Sequence, residues 1–384
     1  MEIEREEVLT DELVAQVRVA AQCLEEHGWA CIEGILTQEE IAQYREDLWQ
    51  FLGAISNDKF HRDADFKSMK STELPTHQHG IIISKGFNHA WFVRRLRQHN
   101  KVLAVFALLF GTDQLTGSMD RVNVKFPGRQ YKSTAPWAHA DQNARLIHRI
   151  LVQSYVTLYD AAENSPGNRF YQGSHLRFAT EWADMRVSGK VGWLRPTPER
   201  LTELEKTCPL VKPVCPAGSL LLWDSRTIHS PSDGVQSGDG QDLNGRFVIY
   251  LCYSPLWEKA GDEKFMKEKS TAFDDLRSTS HSPVPQEKFP PHPRAYGGGP
   301  VAYSEISPTH LRLEARTTEE DYLFCFKSYA REEGHLLGAD WKERSGIADE
   351  LPLLKFHSPF TPLLPAIKSE KTLKPTTQKK SKKL

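Results

Sequence analysis

His139-Ala140-Asp141 is followed far downstream by His229 and then Arg246. Bringing those side chains together constrains the architecture more than any other feature. In a strand, residues i and i+2 point to the same face. His139 and Asp141 can therefore reach one point while Ala140 turns away. His229 must then arrive from a different strand, and Arg246 from another. Two imidazoles and a carboxylate form the 2-His-1-carboxylate facial triad, which holds non-haem Fe(II) on one face and leaves the opposite positions open. A nearby arginine offers a planar fork matched to a carboxylate. A 2-oxo acid that chelates iron at one end and carries a carboxylate at the other suits this set.

The His-x-Asp pair alone is a weak signal in a chain with 15 His and 50 acidic residues, where a solvated loop pair is the alternative. Its flanks strengthen it. Trp137 to Gln142 follows the connection Phe126-Pro127-Gly128. Ala217 to Ile228 reads as a turn, an apolar strand and a polar mouth, with His229 at its end. Arg246 to Tyr253 is a further strand rich in aromatic and β-branched residues. The three segments fit consecutive strands of one barrel.

Several blocks between residues 20 and 255 share a family pattern. They are Gly28 to Glu40, Trp137 to Gln142, Asn164 to Asn168 with Tyr171 to His175, and Ala217 through His229 to Arg246. Together they resemble the phytanoyl-CoA dioxygenase family of Fe(II)/2-oxoglutarate oxygenases, with Gln172 where the family usually has Pro. The resemblance implies a mainly β fold with helical additions. Its core is a double-stranded β-helix, a jelly-roll or cupin-like barrel, expected over residues 120–255 with N-terminal helices packed on one sheet.

The same resemblance implies that His139, Asp141 and His229 bind Fe(II) and that Arg246 pairs with the distal carboxylate of 2-oxoglutarate. Tyr155 matches a family position whose ring contacts the co-substrate, with a packed barrel aromatic as the alternative. Asn123 is placed to bond the same carboxylate, or is a strand-end amide. Ascorbate is the candidate reductant. An Asp at 141, where related halogenases carry a small residue, implies hydroxylation or desaturation of a small or medium organic substrate, with release of succinate and CO2. The alternatives are a non-catalytic barrel that binds a ligand and an oxygenase acting on a macromolecule.

One departure concerns the gap from His229 to Arg246, which is longer than the family's. Pro231 to Gly245 is rich in Ser, Gly and Asp, and is expected as an enlarged hairpin loop between adjacent antiparallel strands. Arg226 competes with Arg246 for the carboxylate. Gln142, Asn143 and Gln153 are expected to line the pocket or to orient the ligands. His148 and His175 are expected to be structural.

At 384 residues, with 39 % hydrophobic and 10 % aromatic content, the chain can bury a sizeable core. Residues 1–366 are expected as a single domain, and the Lys-rich stretch 367–384 as a disordered tail. The formal net charge of −1 gives no general pull toward nucleic acid, so the expected partner is a small molecule. The six cysteines form no Cys-x-x-Cys, so neither a zinc ribbon nor a redox pair is suggested, and they are read as reduced thiols in a cytoplasmic setting. Lys379 to Lys383 resembles a nuclear-import patch, with a solubilising tail as the alternative. The acidic N-terminus has no signal-peptide pattern, and Val102 to Phe110 is far shorter than the ~20 residues that cross a bilayer, so no membrane contact is expected.

Periodicity predicts a helix from Thr10 to Glu26 and a strand from Trp29 to Glu33. Thr37 with Glu40 forms a capping box for a helix to Phe51. Residues 56–80, with His77 and His79, read as a loop or lid. Trp91 to Phe110 reads as helical and Asp120 to Phe126 as a strand. Barrel strands are expected at 134–141, 149–159, 168–172, 212–214, 219–223 and 246–254, with helical insertions in 177–207. Residues 258–300 read as irregular, and a C-terminal helix is expected at 319–333.

Overall fold

The computed structural model describes residues 8–70, 80–82, 86–126, 137–144, 146, 151–182, 193–232, 245–259, 262–278, 281–284, 308–312 and 315–355. The expectations for His77, His79, His148, the Pro231–Gly245 loop beyond Ser232 and the Lys-rich tail lie outside these residues.

Local chemistry sets the first elements. Helix α1 (Asp11–His27) begins at Thr10, whose hydroxyl accepts from Leu13 N, and stops at Gly28 with φ 82°. It leads directly into strand β1 (Trp29–Ile32). Helix α2 (Gln38–Ser56) has the expected reciprocal box between Thr37 and Glu40. The next helical stretch is two helices, α3 (Trp91–Arg97) and α4 (Asn100–Phe110). Between them His99 takes an extended backbone, and its ring reaches Glu40 Oε1 at 3.0 Å. That contact holds the break in a run that periodicity alone reads as continuous.

The remaining strands are β2 (Ile81–Ile82), β3 (Leu115–Gly117), β4 (Val122–Lys125), β5 (Val152–Thr157), β6 (Gly167–Tyr171), β7 (Leu210–Val211), β8 (Leu220–Asp224), β9 (His229–Ser232) and β10 (Arg246–Pro255). Short helices α5 (Phe178–Glu181) and α6 (Pro198–Glu205) interrupt them, and α7 (Glu263–Asp274) comes after the last.

Two antiparallel sheets result. The major sheet runs β1-β8-β5-β10-β4-β2, with β3 paired to the end of β10; the minor sheet runs β7-β6-β9. β10 is the backbone of the major sheet, pairing with β5 along one edge and with β4 and β3 along the other. The sheets face each other through aromatic rings: Phe170 of the minor sheet stacks on Trp29 at 6.0 Å and lies 5.9 Å from Trp223. This is the expected mainly β jelly-roll class, although no closed barrel forms among the described residues.

The outer face of the major sheet is covered by helices. Phe247, Ile249, Leu251 and Tyr253 of β10 share one buried cluster with α1, α2, α3 and α4, and that cluster extends to Leu354. The opposite, inward face carries Tyr155, Leu221, Trp223 and Val248. This period-2 alternation assigns each strand residue either to helix packing or to the interior.

Several expectations need correction. His229 does not end the strand that contains Leu222. That strand stops at Asp224, a turn intervenes, and His229 opens β9 in the other sheet. β9 and β10 therefore belong to different sheets and are not hydrogen-bonded neighbours, contrary to the expectation of adjacent antiparallel strands. The strand expected at 212–214 forms instead at Leu210–Val211, because Pro213 has no N–H to give a ladder. The segment expected to be irregular contains α7, capped by Asp262 accepting from Phe265 N. The single helix expected at 319–333 is two short ones, Thr318–Leu323 and Tyr329–Glu332, separated by Cys325 at φ 66°.

Candidate metal centre and co-substrate pocket

His139 and His229 are held opposite each other by the main chain. His139 N donates to His229 O at 2.9 Å, and His229 N donates to His139 O at 2.8 Å. A directly opposed antiparallel pair presents both side chains on one face. The two rings lie 4.4 Å apart. Asp141 stands two residues after His139, and its carboxylate faces both: His139 Nε2 is 3.4 Å from Oδ1, and His229 Nε2 is 3.4 Å from Oδ2. One candidate ligand atom from each residue lies within 4.8 Å of the other two.

The proton positions are set by the partners. His139 Nδ1 lies 2.9 Å from Trp137 O, and His229 Nδ1 lies 3.0 Å from Thr227 O. A carbonyl can only accept, so each Nδ1 carries the hydrogen and each neutral ring presents the Nε2 lone pair inward. A backbone carbonyl behind a ligating imidazole is the usual means of fixing this tautomer. Gln153 Nε2 donates to Asp141 Oδ2 at 2.9 Å. That is the orienting contact expected of Gln153. Gln142 does something else: its amide bridges Leu146 O and the Ser225 hydroxyl, and so supports the loop.

Burial opposes charge on Asp141, but His281, His139 and His229 outweigh it and hold the carboxyl well below its usual range. His139 and His229 diverge. Burial works against the cation in both. In His139 the Asp141 carboxylate prevails and raises the pKa, whereas in His229 burial, reinforced by repulsion from His139, lowers it. Two imidazole nitrogens and a carboxylate converging at these distances form a donor set suited to a divalent metal such as Fe(II), whose binding would displace any proton from His139.

The turn that aims His229 is held by several hydrogen bonds. Asp224 closes β8 and accepts from Arg226 N at 2.8 Å; Thr227 Oγ1 donates to Gly28 O at 2.9 Å, and Ser174 Oγ accepts from Ile228 N at 2.8 Å. Gly28 is required here, because a Cβ at φ +82° would sit 2.4 Å from Thr227 Oγ1. His175 donates from Nε2 to Glu25 O and braces the same junction, in line with its expected structural role.

The two competing arginines occupy different environments. Arg226 is committed to Asp224, with Nη2 at 2.6 Å from Oδ2 and Nε at 2.9 Å from Oδ1. Arg246 faces the interior. Its Nη2 donates to Asn168 Oδ1 at 2.9 Å, and its guanidinium lies 4.9 Å from the centre of the Tyr155 ring. Tyr155 pairs with Tyr250 across β5 and β10, and burial drives the pKa of its phenol upward. Asn123, on β4, is buried opposite Val248. The arginine pocket and the histidine pair share one interior, since Trp223 lies 5.8 Å from Tyr155 and 5.6 Å from His229.

Two contributors were not anticipated from the sequence. Asn168 belongs to a strand that was foreseen, but nothing in its neighbourhood marks it as a partner of Arg246. His281 touches Asp141 from a segment read as irregular, with Nε2 2.9 Å from Asp141 O and Nδ1 3.9 Å from Asp141 Oδ2.

The family model of phytanoyl-CoA dioxygenase matches residues 24–238, more than half of the chain. The chain belongs to the phytanoyl-CoA dioxygenase family. It is an Fe(II)/2-oxoglutarate-dependent oxygenase by that membership. Among curated proteins, this family member is similar to the Ava biosynthesis cluster protein O of Aspergillus versicolor, at 24 % identity over 239 residues, covering 58 % of this chain and 72 % of that protein. Among solved structures it is similar to the non-heme alpha ketoglutarate dependent epimerase SnoN from nogalamycin biosynthesis, with TM-score 0.41, 18 % identity, and coverage of 63 % of this chain and 84 % of that one. It is also similar to EctD from S. alaskensis with 2-oxoglutarate and 5-hydroxyectoine, with TM-score 0.44, 17 % identity, and coverage of 65 % and 79 %. Among the described residues of this oxygenase, no helix is long and apolar enough to cross a membrane, and all six cysteines are free thiols.

Proposed function

We propose that this oxygenase hydroxylates or desaturates a small or medium organic molecule, with His139, Asp141 and His229 as its Fe(II) ligands. The observation that carries the reading is the convergence of two inward Nε2 lone pairs on the Asp141 carboxylate, both tautomers being set by main-chain carbonyls. Bound Fe(II) supplies O2 activation coupled to decarboxylation of 2-oxoglutarate. In hydroxylation, one oxygen atom enters succinate as CO2 leaves, and the other enters the substrate.

The chain's own residues bind and orient. Arg246 takes the distal carboxylate of 2-oxoglutarate through its fork, with Tyr155 and Asn168 holding the guanidinium in plane. Asn123 contributes an amide to the same carboxylate from β4. The Phe170 and Trp223 rings beside His229 exclude water from the reacting side. Gln153 keeps Asp141 from swinging away. Ascorbate serves as the reductant that restores Fe(II). Residues 1–366 are taken as one oxygenase domain, working in the cytoplasm.

The test is release of succinate from 2-oxoglutarate by the purified protein with Fe(II) and ascorbate, screened across a metabolite library. Substrate-dependent release, lost in His139→Ala and in Asp141→Ala, supports the reading. Tight Co(II) binding with no turnover on any compound would identify a ligand-binding barrel, and release driven only by protein or nucleic acid would identify a macromolecular substrate.

A further inference from the structure

The segment matched by the family model ends at residue 238, so the match covers neither α7 nor the chain beyond it. His281 nevertheless reaches back to the metal centre. The main chain around Asp141 shows why a partner is needed there. His139 bonds His229 in both directions, and Ala140 bonds Leu194 in both directions, at 2.9 and 2.8 Å. The strand-like pairing then stops, and Asp141 lies in a bend. Its carbonyl has passed the last rung of the ladder. A buried carbonyl left without a donor costs free energy comparable to a lost hydrogen bond. His281 fills that position, with Nε2 donating to Asp141 O at 2.9 Å from a side chain that is 16 % exposed.

The support behind His281 is built into the fold. Ser282 and Val284 are buried, at 1 % and 5 % exposure. Lys269 of α7 is wholly buried, and its ammonium donates to Pro283 O at 2.8 Å and to Gly117 O at 2.6 Å. The Phe265 and Phe324 rings flank it at 5.8 and 6.0 Å. Burial lowers the pKa of this amine to about 8. A buried ammonium answered mainly by carbonyls and rings is expensive. Its two carbonyl contacts fix the distance between β3 and the chain immediately after His281.

We propose that His281 is a positioning residue for Asp141, fixing the main chain at that residue while Gln153 fixes the carboxylate. This rests on the reading of Asp141 as an iron ligand. The two contacts come from different directions, β5 and the post-barrel segment, so together they prevent both a rotation of the side chain and a slide of the backbone. Deletion of an orienting partner typically weakens metal binding by about 10- to 100-fold.

The experiment titrates Co(II) into metal-free protein, followed by calorimetry and by the visible absorption of the bound ion, for wild type, His281→Gln and His281→Phe. Gln retains an N–H donor at comparable reach; Phe retains the ring without a donor. Thermal unfolding of each protein is recorded alongside. The expected result is Co(II) affinity near wild type for His281→Gln and a loss of about tenfold or more for His281→Phe. Equal affinity in wild type and His281→Phe overturns the inference, and so does equal weakening in both variants, which would make the ring a packing element. Loss of cooperative unfolding in His281→Gln overturns it as well. A wild type that binds no Co(II) removes the iron-site reading itself, and the inference with it.

Discussion

Replacing Arg246 by Lys keeps the charge and removes the fork. In the structure Arg246 is 5 % exposed, and its guanidinium donates to Asn168 at 2.9 Å and lies 4.9 Å from the centre of the Tyr155 ring. A Lys ammonium can offer a point charge to the co-substrate carboxylate but cannot give two parallel N–H bonds in one plane. Losing one charge-assisted bond costs roughly 1.5–3 kcal/mol. At about 1.4 kcal/mol per decade, that weakens 2-oxoglutarate binding by roughly 10- to 150-fold. Metal affinity should hold, because His139 and His229 are fixed by each other's main chain and not by Arg246. The assay is succinate release against 2-oxoglutarate concentration, paired with Co(II) titration of the metal-free protein. Arg226→Lys is the internal control. It disturbs a two-point pairing with Asp224 behind the metal centre, so it should lower the melting temperature and leave the 2-oxoglutarate constant unchanged. If Arg226→Lys weakens 2-oxoglutarate and Arg246→Lys does not, the assignment of the clamp is wrong.

Three further outcomes are expected. Gln153→Leu removes the donor to Asp141 Oδ2 and should weaken Co(II) binding by about tenfold while the protein still unfolds cooperatively; unchanged affinity would show that the Gln153 contact orients nothing. Gly28→Ala meets a left-handed backbone as well as Thr227 Oγ1, so a loss of at least about 1–2 kcal/mol should appear in denaturant unfolding, and an unchanged midpoint would contradict the close approach. His89 is buried, which lowers its pKa to about 3, so its folded state resists protonation. The stability it contributes is present above its unfolded value near 6.5 and is lost as pH falls toward 3, with a slope of up to about 1.4 kcal/mol per pH unit; His89→Gln should flatten that part of the stability profile.

The parts of this molecule legible in the sequence are those governed by a local period or a local bond. The Thr37–Glu40 box, the apolar stripe of α1 and the in/out alternation of β5, β8 and β10 depend on neighbours a few residues away, and sequence spacing reports them. The His-x-Asp pair belongs to the same class. The features that could not be read depend on partners distant in the chain. His281 acts through a main-chain oxygen of Asp141, and a carbonyl leaves no mark in a sequence. Helix α7 was hidden because its buried stripe of Phe265, Lys269, Ala272 and Phe273 includes a charged residue, which breaks the apolar pattern. β9 was hidden by Pro231, tolerated because the pairing described at that residue is with β6 alone, the contact with His139 on the strand's other side being made at His229. The commitment of Arg226 to Asp224 depends on the turn after β8, a stretch that local pattern alone extends as strand.

The reciprocal main-chain bonds between His139 and His229 also set an order of assembly. The two segments are remote in the chain, so the entropy of closing that loop must be met before either bond forms. Until β9 docks on β6, the chain holds a His-x-Asp pair and no second imidazole. During synthesis the third ligand emerges only after most of the major sheet's strands have been made, and the Arg246 pocket later still. A metal ion captured early would find two donors instead of three. Any ion that recognises the completed set therefore binds the native chain in preference to the unfolded one, and its presence in excess shifts the folding equilibrium toward the native state. Oxygen-activating chemistry is in this way withheld from an unfinished protein by the wiring of its strands.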